Sequence, residues 1–142
     1  MKIGLQLGYW QKNPTPRFIE LAQVAESLGF DSVWTAEAYG SDCFTPLAAI
    51  AASTKRIRLG TGVMQISART PTCAAMTALT LDHISNGRLI LGVGVSGPQV
   101  VEGWYGQPFT RPLERTREWI QIFRQAIARE EPVEFHGEQY NL

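Results

Sequence analysis

The stretch Leu28-Gly29-Phe30-Asp31-Ser32-Val33-Trp34-Thr35-Ala36 ends a helix and opens a strand. Before it, Phe18, Leu21, Ala22, Ala25 and Leu28 recur at the i, i+3, i+4 spacing of one helix face, with Pro16 suited to the first turn. Gly29 supplies a left-handed residue to stop that helix. Ser32–Ala36 then reads as a nearly continuous apolar run, the pattern of a parallel strand buried on both faces.

The same phrase repeats along the chain. Strands are expected at Lys2–Leu7, Ser32–Ala36, Ile57–Val63 and Leu89–Val93, with starts 25 to 32 residues apart, about the length of a βαβ unit. Thr45-Pro46 is read as cap and first position of a second helix, with Leu47, Ile50 and Ala51 on its apolar face. Thr70-Pro71 repeats the device for a third, which Asn86-Gly87 ends. Residues Arg111–Arg129 carry Leu113, Thr116, Ile120, Phe123 and Ile127 at alternating steps of three and four, a long amphipathic helix. Trp34 is expected between sheet and helices, and His83 as a structural histidine.

Alternating strands and helices leave an open doubly wound sheet or a (β/α)8 barrel. A dinucleotide-binding sheet wants G-x-G-x-x-G after its first strand, whereas this strand runs into Gly8-Tyr9-Trp10-Gln11. The barrel is favoured. With 142 residues and four βα units, the chain is read as the first half of a (β/α)8 TIM barrel, spanning 1–142, with 131–142 a polar tail or the start of an insertion segment. A half-barrel has two open edges, so a homo-oligomer, or pairing with a missing C-terminal half, is expected.

Composition narrows the partners. Thirteen basic residues balance thirteen acidic ones, and no basic cluster suggests nucleic acid. No apolar run approaches the ~18 residues of a membrane span, and the first residues do not read as a signal peptide. A cytoplasmic enzyme acting on a small-molecule substrate is the expectation. Cys43 and Cys73 stand apart, without metal-ligand spacing, and are read as small buried apolar groups; no metal is expected.

In a barrel the active site lies where strands end and βα loops begin. The four tips are Gly8-Tyr9-Trp10, Glu37-Ala38-Tyr39, Gly62-Val63-Met64-Gln65 and Gly94-Val95-Ser96-Gly97. Glycine at a tip lets a flat ligand approach the backbone, and Glu37 adds a carboxylate beside Tyr39. A site of glycines, aromatics and one acid suits a planar cofactor that brings its own reactivity.

Three phrases carry a resemblance: Gly29-Phe30-Asp31-Ser32-Val33-Trp34, Ile57-Arg58-Leu59-Gly60-Thr61-Gly62-Val63, and Leu81-Asp82-His83-Ile84-Ser85-Asn86-Gly87-Arg88-Leu89-Ile90-Leu91-Gly92-Val93-Gly94. Together with Trp104-Tyr105-Gly106-Gln107-Pro108-Phe109, they resemble the bacterial-luciferase-like flavin monooxygenases, in particular the branch using the deazaflavin coenzyme F420. The resemblance implies a (β/α)8 barrel roughly twice as long and hydride transfer between reduced F420 and a small organic substrate. The alternatives are an FMN- and oxygen-dependent monooxygenase, or a non-catalytic truncated half-barrel that needs a partner chain. It also implies a non-proline cis peptide at Gly62-Val63 behind the cofactor ring, and cofactor contacts from Gly8, Glu37, Gly62, Val63, Gly94 and Ser96. Relatives place an acid followed by histidine at the second tip. Here Glu37 keeps the acid and Ala38 replaces the histidine, which leaves Glu37, Tyr39 or water to move a proton.

Overall fold

Short apolar segments of alternating parity form the sheet, and the computed structural model describes residues 1–13 and 15–142. In chain order the elements are β1 (Gly4–Gly8), α1 (Phe18–Ser27), β2 (Ser32–Thr35), α2 (Phe44–Ser53), β3 (Arg58–Thr61), β4 (Met64–Gln65), α3 (Pro71–Ile84), β5 (Leu89–Ile90), β6 (Val93–Gly94), α4 (Pro98–Val101) and α5 (Pro112–Ala128). Strands β1, β2, β3 and β5 make one parallel sheet in that order, as the alternating phrases predict. No helix among the described residues is long and apolar enough to cross a membrane.

The chain divides into two compact units: Met1–Met64 with Thr80–Val93, and Gln65–Leu79 with Gly94–Leu142. In the first, register sets two unlike faces. Val33 lies beside Leu5 and Leu59, and Thr35 beside Thr61; Val33, Thr35, Leu59 and Thr61 are buried, and α1 and α2 pack against these strands. On the other face Trp34 stands beside Gln6 and Gly60, with Ser32 beside Gly4. Trp34 therefore does not pack between sheet and helices. Its Nε1 donates to Ser32 Oγ at 2.8 Å, and its indole lies over bare backbone that a Cβ on Gly60 would invade.

Position in the sheet corrects the expectation of uniformly buried strands. β2 and β3 are largely buried, whereas the outer strands β1 and β5 are only partly covered. Helix α1 turns Ala22 and Ala25 inward and leaves Leu21, Val24 and Leu28 exposed, so its predicted apolar face is displaced toward small residues.

The last two strands are each interrupted. Thr61 Oγ1 donates to the Gly92 carbonyl (2.8 Å) and accepts from the Gly92 N–H (2.9 Å), so a side chain takes the place of a ladder rung. A Cβ on Gly92 would run into the Thr61 carbonyl. The continuous strands expected at Ile57–Val63 and Leu89–Val93 are thus β3 followed by β4, and β5 followed by β6.

Helix ends follow the local chemistry with two exceptions. Gly29 (φ 79°) ends α1, and Asn86 (φ 58°) and Gly87 (φ 75°) end α3, as read from sequence. Thr70 Oγ1 accepts the Cys73 N–H at 3.3 Å, which supports its reading as the cap of α3. Pro16, however, precedes α1, which starts after left-handed Arg17. Thr45 lies inside α2, and the first N–H groups of that helix, on Phe44 and Thr45, donate to Asp42 Oδ1 at 2.8 and 2.9 Å. Of the cysteines, Cys43 is buried as expected and Cys73 is exposed.

At the base of the first unit's sheet, where the strands begin, Asp31, Glu26 and Arg88 are satisfied within the chain. Asp31 pairs with Arg58, whose guanidinium holds its carboxyl below the usual carboxylate range. Glu26 accepts from the N–H groups of Lys55, Arg56 and Ile57. Arg88 is buried and donates to the carbonyls of Ser85, Ile57, Ala51 and Thr54 and to Thr54 Oγ1. Two of those carbonyls, Ala51 and Thr54, belong to the end of α2, where unpaired carbonyls favour a cation.

In the second unit, buried Glu118 on α5 anchors the tail. Its carboxylate accepts the N–H groups of Glu138, Gln139 and Tyr140 at 2.9, 2.8 and 3.0 Å. Phe135 and Leu142 exchange backbone hydrogen bonds, so residues 135–142 fold back as a short turn despite their polarity.

Candidate active site

Parallel pairing puts the carboxyl ends of β1, β2 and β3 at one rim, and backbone hydrogen bonds lock their tips together. The Ala36 N–H donates to the Gly8 carbonyl (2.8 Å), Gly62 to Thr35 (2.7 Å) and Glu37 to Val63 (3.3 Å). Five of the residues expected at the site, Gly8, Glu37, Tyr39, Gly62 and Val63, thus belong to one rim of the first unit. The register slips between Gln6 and Gly8, so Leu7 is passed over and Gly8 stands beside Thr35.

The glycines at these tips exist for different reasons. Gly8 has φ 70°, so its backbone alone favours glycine. Gly62 has no such constraint. A Cβ there would meet the Trp34 ring at 3.5 Å and the Gln6 amide at 3.7 Å, which are ordinary contacts. Neither the turn nor the packing of this unit requires glycine at 62. The Gly62-Val63 peptide is cis, at the position that the resemblance implies.

Around this bare backbone, Glu37 is buried at 7% exposure, while Val63 (43%), Tyr9 (46%) and Tyr39 (52%) are open. Sequence reasoning missed Gln6 and Trp34, which lie next to Gly62 on the open face. The signal was available in the alternation of Gly4 and Gln6 against Ser32 and Trp34. His83 is exposed in the last turn of α3, where its carbonyl accepts the Asn86 N–H, and takes no part in this rim.

Gly94 and Ser96 belong to the second unit. The Gly94 carbonyl accepts the Ile66 N–H at 3.0 Å, and Ser96 is exposed with φ 60°.

A planar heterocycle fits what the first unit presents: backbone without a Cβ at Gly62, an open apolar side chain at Val63 and an acid at Glu37. The chain is 64% identical, over its full length, to a Mycobacterium tuberculosis protein provisionally named a coenzyme F420-dependent oxidoreductase, and covers 41% of it. Among solved structures, a monooxygenase from Streptomyces bottropensis superposes with TM-score 0.89 at 30% identity, covering all of this chain and 47% of the other. The coenzyme F420-dependent tetrahydromethanopterin reductase from Methanopyrus kandleri gives TM-score 0.83 at 27% identity, covering 99% and 44%. The chain therefore spans somewhat under half the length of these relatives. Since the luciferase-like monooxygenase family matches residues 2–142, the chain belongs to that family, and its fold is the first half of a (β/α)8 barrel.

Proposed function

We propose that the protein is an oxidoreductase that binds coenzyme F420 at the rim of the first unit and acts on a small organic substrate. The observation that carries this reading is Gly62, a glycine that its own surroundings do not require, set between an open Val63 and a buried acid. The deazaflavin, when bound, supplies hydride transfer at its ring.

The chain's residues supply the rest. Backbone at Gly8 and Gly62 offers a flat surface, and Val63 gives it an apolar flank that excludes water. Glu37 holds or accepts a proton at its carboxylate, the role that Ala38 cannot take over from the histidine of relatives. Tyr39 offers a phenol O–H to a substrate oxygen. For Gly94 and Ser96 the reading rests on the resemblance alone. The outer edges of β1 and β5 favour pairing with further strands, from a longer chain or a second copy.

The test is anaerobic turnover. Reduced F420 mixed with the protein and a panel of ketones and aldehydes is expected to return to its oxidised absorbance. Oxygen uptake with reduced FMN, and no turnover of F420, would replace this reading with the flavin monooxygenase one.

A further inference from the structure

On the open face of the first unit's sheet, one polar side chain is left unused by the fold. That face carries Gly4 and Gln6 on β1, Ser32 and Trp34 on β2, and Gly60 on β3, with Gly62 following at the rim. The glycines bring no side chain. Ser32 is buried, and its Oγ accepts the Trp34 Nε1–H at 2.8 Å, so the indole's one donor is spent. Gln6 is exposed, and among the described residues no hydrogen bond holds its carboxamide.

The carboxamide lies where a flat ligand meets the bare backbone. A Cβ on Gly62 would stand 3.7 Å from Gln6 Oε1, 3.9 Å from Gln6 Nε2 and 3.5 Å from the Trp34 ring. The space left by the missing side chain is therefore bordered by an indole and a carboxamide. Strand parity sets both, with Gln6 beside Trp34 and Trp34 beside Gly60. The indole is seated firmly, since a Cβ on Gly60 would overlap its ring. Gln6 keeps its freedom to turn toward what arrives.

We propose that Gln6 reads the polar edge of the bound ring, accepting from the N3–H of its pyrimidinedione and donating to a neighbouring C=O. This rests on the cofactor reading above and goes beyond it by naming the side chain that selects the edge. A carboxamide holds an acceptor and a donor in one plane, and an imide edge presents the complement. Glutamine pairs with the edge of adenine by the same geometry. Flavin and deazaflavin share the pyrimidinedione, so the pairing serves FMN and F420 alike. A ring lying on Gly62 displaces water from Gln6, and an edge without a matching donor and acceptor leaves the amide unpaired.

Methylation at N3 removes the ring's donor and provides the test. F420, FMN and their N3-methyl derivatives are titrated by fluorescence into wild type and Gln6→Met. Methionine keeps the length of the side chain and removes both hydrogen-bonding atoms. Methylation is expected to weaken binding to wild type about tenfold and to Gln6→Met by less than about threefold. Gln6→Met alone is expected to weaken the unmethylated ring about tenfold, with an unchanged urea midpoint because the residue is exposed. This coupling seen with F420 supports the pairing on a deazaflavin, and seen with FMN alone supports it on a flavin. Equal losses on methylation in the two proteins would overturn the proposal and leave the cofactor reading standing. Wild type that binds neither F420 nor FMN would overturn both.

Discussion

The two ends of the first unit's sheet are built on opposite plans. At the base, three charges are held within the chain: Asp31 by Arg58, Glu26 by three backbone N–H groups, Arg88 by four carbonyls and a hydroxyl. At the rim, backbone is left bare at Gly62, and Tyr9, Tyr39 and Val63 remain open. The most distinctive phrase of the sequence, Asp82 to Arg88, lies at the base. There Asp82 Oδ1 accepts the Leu89 N–H (3.1 Å), Ser85 Oγ donates to the Asp82 carbonyl (3.1 Å), and Arg88 ties α2 to β3. The most specific part of the resemblance therefore holds the fold, and the residues offered to a ligand, Gly62 and Val63 among them, sit at the other end, as in barrels generally.

That contrast can be broken or sharpened by substitution. Arg88→Met leaves several buried carbonyls without a donor and is expected to cost about 3 kcal/mol, read by urea denaturation. The folded fraction should bind F420 as wild type does; weakened binding per folded molecule would blur the division. Gly62→Leu is the mirror case. It is expected to weaken F420 about a hundredfold by fluorescence titration, about 2.7 kcal/mol, while stability moves by less than about 1 kcal/mol.

Glu26→Gln is expected to cost about 2 kcal/mol, because a carboxylate accepting three N–H groups is replaced by an amide. Burial disfavours the Glu26 charge, yet the N–H groups of Ile57, Arg56 and Lys55 outweigh it and hold the carboxyl below its usual range. The stability gained is present above the unfolded-state value of about 4.3 and is lost as pH falls through the lower folded value. Glu26→Gln should flatten that part of the acid-denaturation curve. The smallest effect separates two caps: Asp42→Ala should cost about 1 kcal/mol in thermal unfolding, and Thr45→Ala within about 0.5 kcal/mol.

Much of this architecture could be read from local pattern. The left-handed stops at Gly29 and at Asn86-Gly87, the Thr70-Pro71 start and the length of α5 depend on neighbours within a few residues, and the sequence displays them. What escaped depends on distant parts of the chain. The break between β5 and β6 is set by Thr61, 31 residues away from Gly92. Trp34 faces the open side because of strand parity and the glycines opposite it, whereas its apolar bulk suggested the helix side. Leu21 and Val24 of α1, and Leu28 just after it, are exposed because β1 is an outer strand, a fact of sheet order that helix periodicity does not contain. At the site, the tip glycines were evident as residues, but only their surroundings distinguish Gly62 from Gly8, Gly40 and Gly92.

Amide hydrogen exchange, followed residue by residue with and without F420, tests the division between the two ends most directly. Protection is expected to rise at Glu37, Gly62 and Val63 and to stay unchanged at Asp31, Arg56 and Leu89. Protection gained at the base, or none at the rim under saturating F420, would contradict it.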